Sequence, residues 1–454
     1  MNHHKKMDRQ NCTYDKLDSM DTDPEVYKRG DDLKLLIEPQ KPLFDKIPYA
    51  YSTDKPIKKA RKKKRVLNTL DTLISIFVVT PCVVGCWRGI SQIMDMYEEY
   101  FPAWESFSLG MATHIVLALG QDVFHYVVVE KKSKHPVLRL FAWFLMKFYI
   151  TTFNVISNMI WRAGWILFDR YCGLQNSKFG SAMSEGSSSA IWFTIVCTLI
   201  LFCLKGLKNT MSPPFSIALD SKDEVFLFST RYIYKMGEKT SLYILDCLFS
   251  VLIVGTLVVF VWRGGWALLD IFVFPEDDVL SAWASLILGY ASVAIAFILQ
   301  PVMRYLCERF SGTPRLLIAD FFILFALFGT INVWRGIWNL LNIYFLPENP
   351  ELSCWITHWV CLIILILLGC SNSLLVRGVY IDAEEPAGKC VVFPCYYLRI
   401  IFQGEKLKQL NLTSLTIQNV KVHVRDSEKA MENNHIVSVS TISTTIKQNH
   451  KENC

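Results

Sequence analysis

Four apolar runs of membrane-spanning length end in the dipeptide Trp-Arg, at Trp87-Arg88, Trp161-Arg162, Trp262-Arg263 and Trp334-Arg335. A guanidinium beside hydrocarbon is costly, and four occurrences in matching surroundings mean that one unit is repeated. Eight residues beyond each of these Trp stands Asp95, Asp169, Asp270 or Asn342, and three of the four carry a second Trp one helical turn on: Trp165, Trp266 and Trp338. Trp262, Trp266 and Asp270 fall on one helical stripe, with Arg263 close to the same face. The chain is 52% apolar and 19% charged, where soluble chains carry about a quarter charged residues. The apolar residues also gather in blocks of about 20, the length that crosses the hydrocarbon core.

Eight spans are predicted, at 66–97, 105–130, 137–170, 187–208, 240–272, 281–304, 315–345 and 352–377. Connections from odd to even spans are acidic (Glu98, Glu99 and Glu105; Glu276, Asp277 and Asp278; Glu348 and Glu351), with Arg170 and Lys178 their only bases. Connections from even to odd spans are basic, as in Lys131, Lys132, Lys134 and Arg139, then Arg231, Lys235 and Lys239, then Arg304, Arg309 and Arg315. Basic connections belong in the cytoplasm, which puts both termini inside. Asp71-Thr72-Leu73-Ile74-Ser75 echoes Asp246-Cys247-Leu248-Phe249-Ser250, each sixteen residues before its Trp-Arg, and Ala103-Trp104-Glu105-Ser106 echoes Ala282-Trp283-Ala284-Ser285. The expected fold class is therefore an all-α polytopic membrane protein. Its eight transmembrane helices form four parallel two-helix hairpin repeats.

The expected organisation is a polar cytoplasmic arm (1–65) without a cleavable signal peptide, a membrane half (66–208), a cytoplasmic loop (209–239), a second membrane half (240–378) and a cytoplasmic tail (379–454). The arm reads as disordered and ends in Lys58, Lys59, Arg61, Lys62, Lys63, Lys64 and Arg65. That block is a topology signal, and it also suits anionic inner-leaflet lipid. In the loop, 215–219 and 225–228 are strand-like, as are 391–393, 396–402 and 420–424 in the tail, so these segments could pair into a small cytoplasmic β module or stay unpaired. Beyond residue 425 the tail reads as disordered. Asn411-Leu412-Thr413 fits the glycosylation pattern but on the cytoplasmic side. Most of the 14 cysteines lie in spans, where a thiol is a small apolar group. Cys172 and Cys354 are expected outside, which leaves a disulfide between them open.

Two groups of residues are candidates for chemistry. Arg88, Asp95, Arg162, Asp169, Arg263, Asp270 and Arg335 form a candidate charged rim near the outer interface. They are either packing and anchoring groups, with Gly89, Gly264, Gly265 and Gly336 allowing close helix approach, or the wall of a vestibule for a ligand or ion. His114, Gln121, Asp122 and His125 make the second span the most polar. They serve either as interfacial groups or as a proton relay or metal contact. Asp71, Asp246 and Asp320 open odd spans, where a helix N-terminus favours a carboxylate. No nucleotide-binding loop, nucleophile elbow, HExxH or zinc spacing occurs, so no enzyme, metal or cofactor is expected. The net charge of +6 sits beside the apolar blocks and gives no nucleic-acid footprint.

Trp87-Arg88-Gly89, Trp262-Arg263-Gly264-Gly265-Trp266 and Trp334-Arg335-Gly336-Ile337-Trp338, with the basic arm and eight spans, resemble the Fuseless family of invertebrate multi-span proteins. The resemblance covers roughly residues 66–380, and the second repeat departs from it with Ala163 at the first Gly position. It implies a neuronal protein of the presynaptic plasma membrane, needed for neurotransmitter release and associated with positioning or regulating voltage-gated calcium channels. It implies no enzymatic activity and no agreed site residues. The competing expectation, resting on the intramembrane His/Asp and the Arg rim, is a proton-coupled transporter or channel for a small ion or organic anion.

Overall fold

The computed structural model describes residues 65–130, 135–173, 185–220, 225–234, 240–398 and 402. Among the described residues it is helical, without strands. The main helices are α1 (Arg65–Met96), α2 (Ala103–Leu119, continuing after a bend as Gln121–Val129), α3 (Pro136–Tyr171), α4 (Glu185–Cys203), α5 (Thr240–Phe272), α6 (Asp278–Arg309), α7 (Thr313–Tyr344) and α8 (Pro350–Leu368). Six of them (α1, α3, α5, α6, α7 and α8) are long and apolar enough to cross a membrane on their own. The bent α2 pair passes the same test as one unit, and α4 contributes a shorter apolar stretch, Ser188–Cys203. The chain is thus an integral membrane protein. At 1.5 Å per residue, the 36 residues of α3 run about 54 Å, so α3 tilts or projects beyond the hydrocarbon.

Local chemistry sets several boundaries. The Asp277 side chain accepts from Leu280 N at 2.9 Å to cap α6, and Asn349 accepts from Leu352 N at 3.1 Å to cap α8, with Pro350 at its first position. α8 stops at Gly369, whose φ of +67° is the left-handed conformation a glycine supplies at a helix C-terminus. α1 and α5 each contain a π-helical stretch, Ser75–Val79 and Phe249–Gly255, at corresponding places in the repeat.

Helix packing is offset from the hairpins of the sequence. The most closely packed pairs are α6 with α7, α8 with α1, α2 with α3, and α4 with α5. An acidic connection therefore carries the chain from one inner helix to the outer helix of the next pair, and the last outer helix returns to the first inner one. The inner helices α1, α3, α5 and α7 touch in a closed cycle. Outward faces carry apolar side chains such as Ile298, Phe321 and Leu367, as hydrocarbon requires.

By internal contacts, residues 55–397 form one unit, so both expected membrane halves, the loop at 209–239 and the start of the tail fold together. The other unit, residues 1–54 with 398–454, lies almost wholly outside the described residues. So do Lys58, Lys59, Arg61, Lys62, Lys63 and Lys64, while Arg65 is exposed at the start of α1.

The β module left open above is not formed by 215–219, 225–228, 391–393 or 396–398, and 399–401 and 420–424 lie outside the described residues. The backbone of these segments is satisfied singly, not in a ladder. Ile217 N donates to Pro394 O at 2.9 Å, Asp220 N to Gly369 O at 2.8 Å, and Phe228 N to the Gln121 side chain at 2.9 Å. Their apolar residues, Phe215, Val225, Phe226, Val391 and Phe393, are buried among the helices instead. The disulfide left open between Cys172 and Cys354 is also absent, both being buried free thiols. Cys172 packs with Phe168 and Ala190, whereas Cys354 Sγ donates to Gln92 Oε1 at 3.3 Å.

Candidate functional site

The cycle of inner helices brings the four Trp-Arg motifs to one level. Trp87, Trp161, Trp262 and Trp334 form a closed square of edge-to-face indoles. Centroids are 5.5 Å apart from Trp87 to Trp161, 5.5 Å to Trp262, 5.3 Å on to Trp334 and 6.0 Å back to Trp87. Edge-to-face pairs at this separation suit the ring quadrupoles and contribute about 0.5–1.5 kcal/mol each beyond burial. Indole N–H groups tie the square to the segments below. Trp87 donates to Leu374 O, Trp262 to Thr210 O and Trp334 to Pro213 O, at 3.1, 3.0 and 2.8 Å. Thr210 and Leu374 end two short 3₁₀ turns, Leu207–Thr210 and Ser371–Leu374, that fill the end of the bundle bearing the basic connections. One turn toward the acidic end, Trp165, Trp266 and Trp338 meet edge to face at 5.1 and 5.9 Å. The fourth place is Ser91, which donates to Asn158 Oδ1 at 3.0 Å.

The charged residues make a second ring. Each Arg reaches the acidic position of the preceding repeat: Arg162 to Asp95 at 2.5 Å, Arg263 to both oxygens of Asp169 at 2.6 and 2.9 Å, and Arg335 to Asp270 at 2.8 Å. Arg88 closes the circle on Asn342 at 2.7 Å. Arg263 also reaches Asp270 of its own helix at 3.5 Å and lies over the Trp165 ring at 5.2 Å. All seven rim residues expected from the sequence therefore fall in one ring, with Asn342 as its eighth member. The arginines Arg88, Arg162 and Arg335 are buried within it, whereas the Asp95 side chain is half exposed.

Outer helices complete two of the arginines. Arg335 donates to Ser281 Oγ at 2.8 Å and Ser285 Oγ at 2.5 Å on α6, and Arg88 to Ser353 Oγ at 3.2 Å and Thr357 Oγ1 at 3.3 Å on α8. Arg162 instead takes Phe101 O, just before α2, at 2.7 Å. These hydroxyls were not among the expected site residues, although a cue was present. Trp104, Trp192, Trp283 and Trp355 are each followed two residues on by a hydroxyl: Ser106, Thr194, Ser285 and Thr357. The Gly after Trp-Arg faces the same outer helix. A Cβ at Gly89 would lie 2.6 Å from Cys354 O, and one at Gly336 2.6 Å from Leu286 N.

Arg88 stands apart because its acceptors are all neutral. A carboxylate at 342 would restore the pattern of the other joints, and a charged hydrogen bond contributes about 1.5–3 kcal/mol. Asn342→Asp is accordingly expected to raise the unfolding temperature of the purified protein in lipid nanodiscs. An unchanged or lower midpoint would mean that the ring does not need a fourth carboxylate.

The polar face of α2 is not continuous. The helix bends by 58° at Gly120. His114 lies edge-on to Phe153 at 4.9 Å and Phe228 at 6.4 Å. Gln121 is buried, donating to the Tyr243 hydroxyl at 3.3 Å and accepting from Phe228 N. Asp122 is exposed and His125 part-buried, so the four polar residues singled out in the second span do not converge on one point. Asp246, read as a helix-terminal carboxylate, serves the loop instead: it accepts from Thr230 Oγ1 at 2.6 Å and Tyr232 N at 2.9 Å.

Across residues 66–375, more than half of the chain, the sequence matches the family model described as Fuseless. The chain belongs to the Fuseless family. That match spans α1 to α8 and contains the whole Trp-Arg ring, so the resemblance expected from three of the motifs is confirmed over the complete helical body. No curated protein and no solved structure matches the chain.

Proposed function

We propose that this member of the Fuseless family is a non-catalytic presynaptic membrane protein that supports neurotransmitter release by organising or regulating voltage-gated calcium channels. In this reading the eight helices are eight spans in four parallel repeats. Both termini lie in the cytoplasm, and the basic arm meets anionic inner-leaflet lipid. The alternation of acidic and basic connections supports that orientation. The observation that favours an organiser over a transporter is the closed double ring. Its guanidiniums and carboxylates bind one another, its indoles occupy the centre, and the loop segments are tied beneath it. Such a hub holds eight helices in a fixed arrangement, as a scaffold for partner proteins requires.

Two measurements test the reading. Terminals lacking the protein are expected to show reduced calcium-channel abundance and reduced evoked release, restored by the full chain. Unchanged channel abundance would count against it. Purified protein in sealed vesicles is expected to give no ion current or proton-coupled uptake; robust uptake abolished by His114→Ala would replace the organiser with a transporter.

A further inference from the structure

Asp320 lies about two turns into α7, past the first turn, where free helix amides favour a carboxylate. It is 2% exposed, and neither of its carboxyl oxygens accepts a hydrogen bond among the described residues. Its counterpart in α5, Asp246, is by contrast satisfied by Thr230 and the backbone of Tyr232. What faces Asp320 is a second carboxyl, Asp382, 3% exposed, on the segment that follows α8. Arg315 fixes that segment against the start of α7 by donating to Ala383 O and, at 3.0 Å, to Glu385 O. Asp382 is well supplied with donors. It accepts from Leu207 N at 2.7 Å and Lys208 N at 2.8 Å, at the head of the 3₁₀ turn whose Thr210 O holds Trp262 of the square. The surrounding cations are engaged elsewhere: Lys208 pairs with Glu385 at 2.5 Å, and Arg315 is taken by the two carbonyls. Lys205, just beyond α4, acts on Asp320 through its field and makes no hydrogen bond to it.

Two carboxyls withdrawn from water at one place cannot both ionise without a positive charge between them. Backbone N–H donors favour the charged form of Asp382. Asp320 has no donor, so its low-energy form there is the neutral acid, whose O–H supplies the missing hydrogen bond. A metal ion fits less well. No group of three His, Cys, Asp or Glu side chains forms a ligand set among the described residues, and two amide N–H groups already aim at Asp382. We propose that Asp320 and Asp382 bind one proton between them, carried by Asp320 and donated to Asp382, in a bridge that clamps α7 to the segment after α8. Release of that proton to solvent as pH rises leaves two like charges and loosens the turn beneath Trp262. The site is independent of the proposed role at calcium channels.

The test uses the full-length protein in lipid nanodiscs, melted from about pH 5 to about pH 9. Across that range the folded protein holds a proton that the unfolded chain, with aspartates titrating near about 4, has released. The contribution of the pair is therefore full below that value, falls as pH rises and levels once the pair has ionised. Asp320→Asn keeps a donor toward Asp382 and cannot ionise. Its melting temperature, measured against wild type, is expected to climb by about 3–6 °C across the range. The infrared difference between wild type and Asp320→Asn at neutral pH should contain the carbonyl stretch of a protonated carboxylic acid. A pH-independent offset between the two proteins overturns the proposal, as does absence of that band. Melting that depends on sodium or calcium at fixed pH in wild type and not in Asp320→Asn assigns the pair to a metal ion and also overturns it. Should Asp320→Asn fail to fold, Asp320→Glu decides: it keeps the carboxyl, so the acid band should shift, and an unmoved band, or none, overturns the proposal.

Discussion

Asp270→Ala is expected to be among the most damaging single substitutions in the protein. Asp270 alone serves two arginines, accepting from Arg335 at 2.8 Å and Arg263 at 3.5 Å. It joins α5 to α7 within the inner cycle. All three side chains are largely withdrawn from solvent, at 15%, 5% and 11% exposure. Removing one member of a buried ion pair leaves an uncompensated charge and costs about 3–5 kcal/mol. The loss is read as a fall in unfolding temperature in nanodiscs, or as loss of the monodisperse species on size-exclusion chromatography. Asp270→Asn is the informative companion. It retains an acceptor and copies the Arg88–Asn342 joint that the protein already contains, so its loss should be clearly smaller. Asp95→Ala should also be milder, because that carboxylate is half exposed and its partner Arg162 keeps Phe101 O. If Asp270→Ala melts with the wild type, the charged ring does not hold the bundle together.

Gly336→Ala carries the other large expected effect. The added Cβ would meet backbone of the facing helix, 2.6 Å from Leu286 N and 2.7 Å from Leu286 Cα. Backbone cannot rotate away as a side-chain tip can, so α6 and α7 must part. Overpacking typically costs about 1–3 kcal/mol, and here it also pulls Arg335 from Ser281 and Ser285 on α6. Gly89→Ala should behave alike at the α1–α8 contact, where Cys354 O lies 2.6 Å from the new Cβ and His358 Cβ 2.7 Å. Gly255→Ala is the control: its nearest neighbour is Ser250 O at 3.7 Å, an ordinary contact. Equal stability of Gly336→Ala and Gly255→Ala would show that close approach of inner and outer helices is not what the Trp-Arg-Gly motif requires.

These two positions show how much of the site was written in the chain. The sequence placed Arg263 and Asp270 seven residues apart on one helical face, and repetition of that spacing named all seven charged members of the ring. It did not say that each arginine pairs chiefly with the preceding repeat. The reach from Arg335 to Asp270 or from Arg162 to Asp95 depends on how neighbouring helices are turned. Ser285 and Thr357 were visible as hydroxyls two residues after a Trp. Their role was not, because an even helix was paired with the odd helix before it. The polar residues of α2 are spread out for a local reason: helical spacing aligns His114, Gln121 and His125 only on a straight helix, and Gly120 bends it.

What the sequence determined by itself was the membrane class, the positions of the apolar helices and the repeated motif, because burial in hydrocarbon and helical periodicity act on residues near one another in the chain. The strand-like segments misled for the complementary reason. Alternating apolar residues around Phe215 and Phe226 report that side chains are buried, not that a neighbouring strand exists to pair with. Only the tertiary structure decided that helices pair across the basic connections, that α8 returns to α1, and that four Trp-Arg motifs meet as one square of indoles inside one ring of charge. Closure is a property of the whole cycle, since the ring forms only when the last helix packs against the first, and no local stretch of sequence carries that contact.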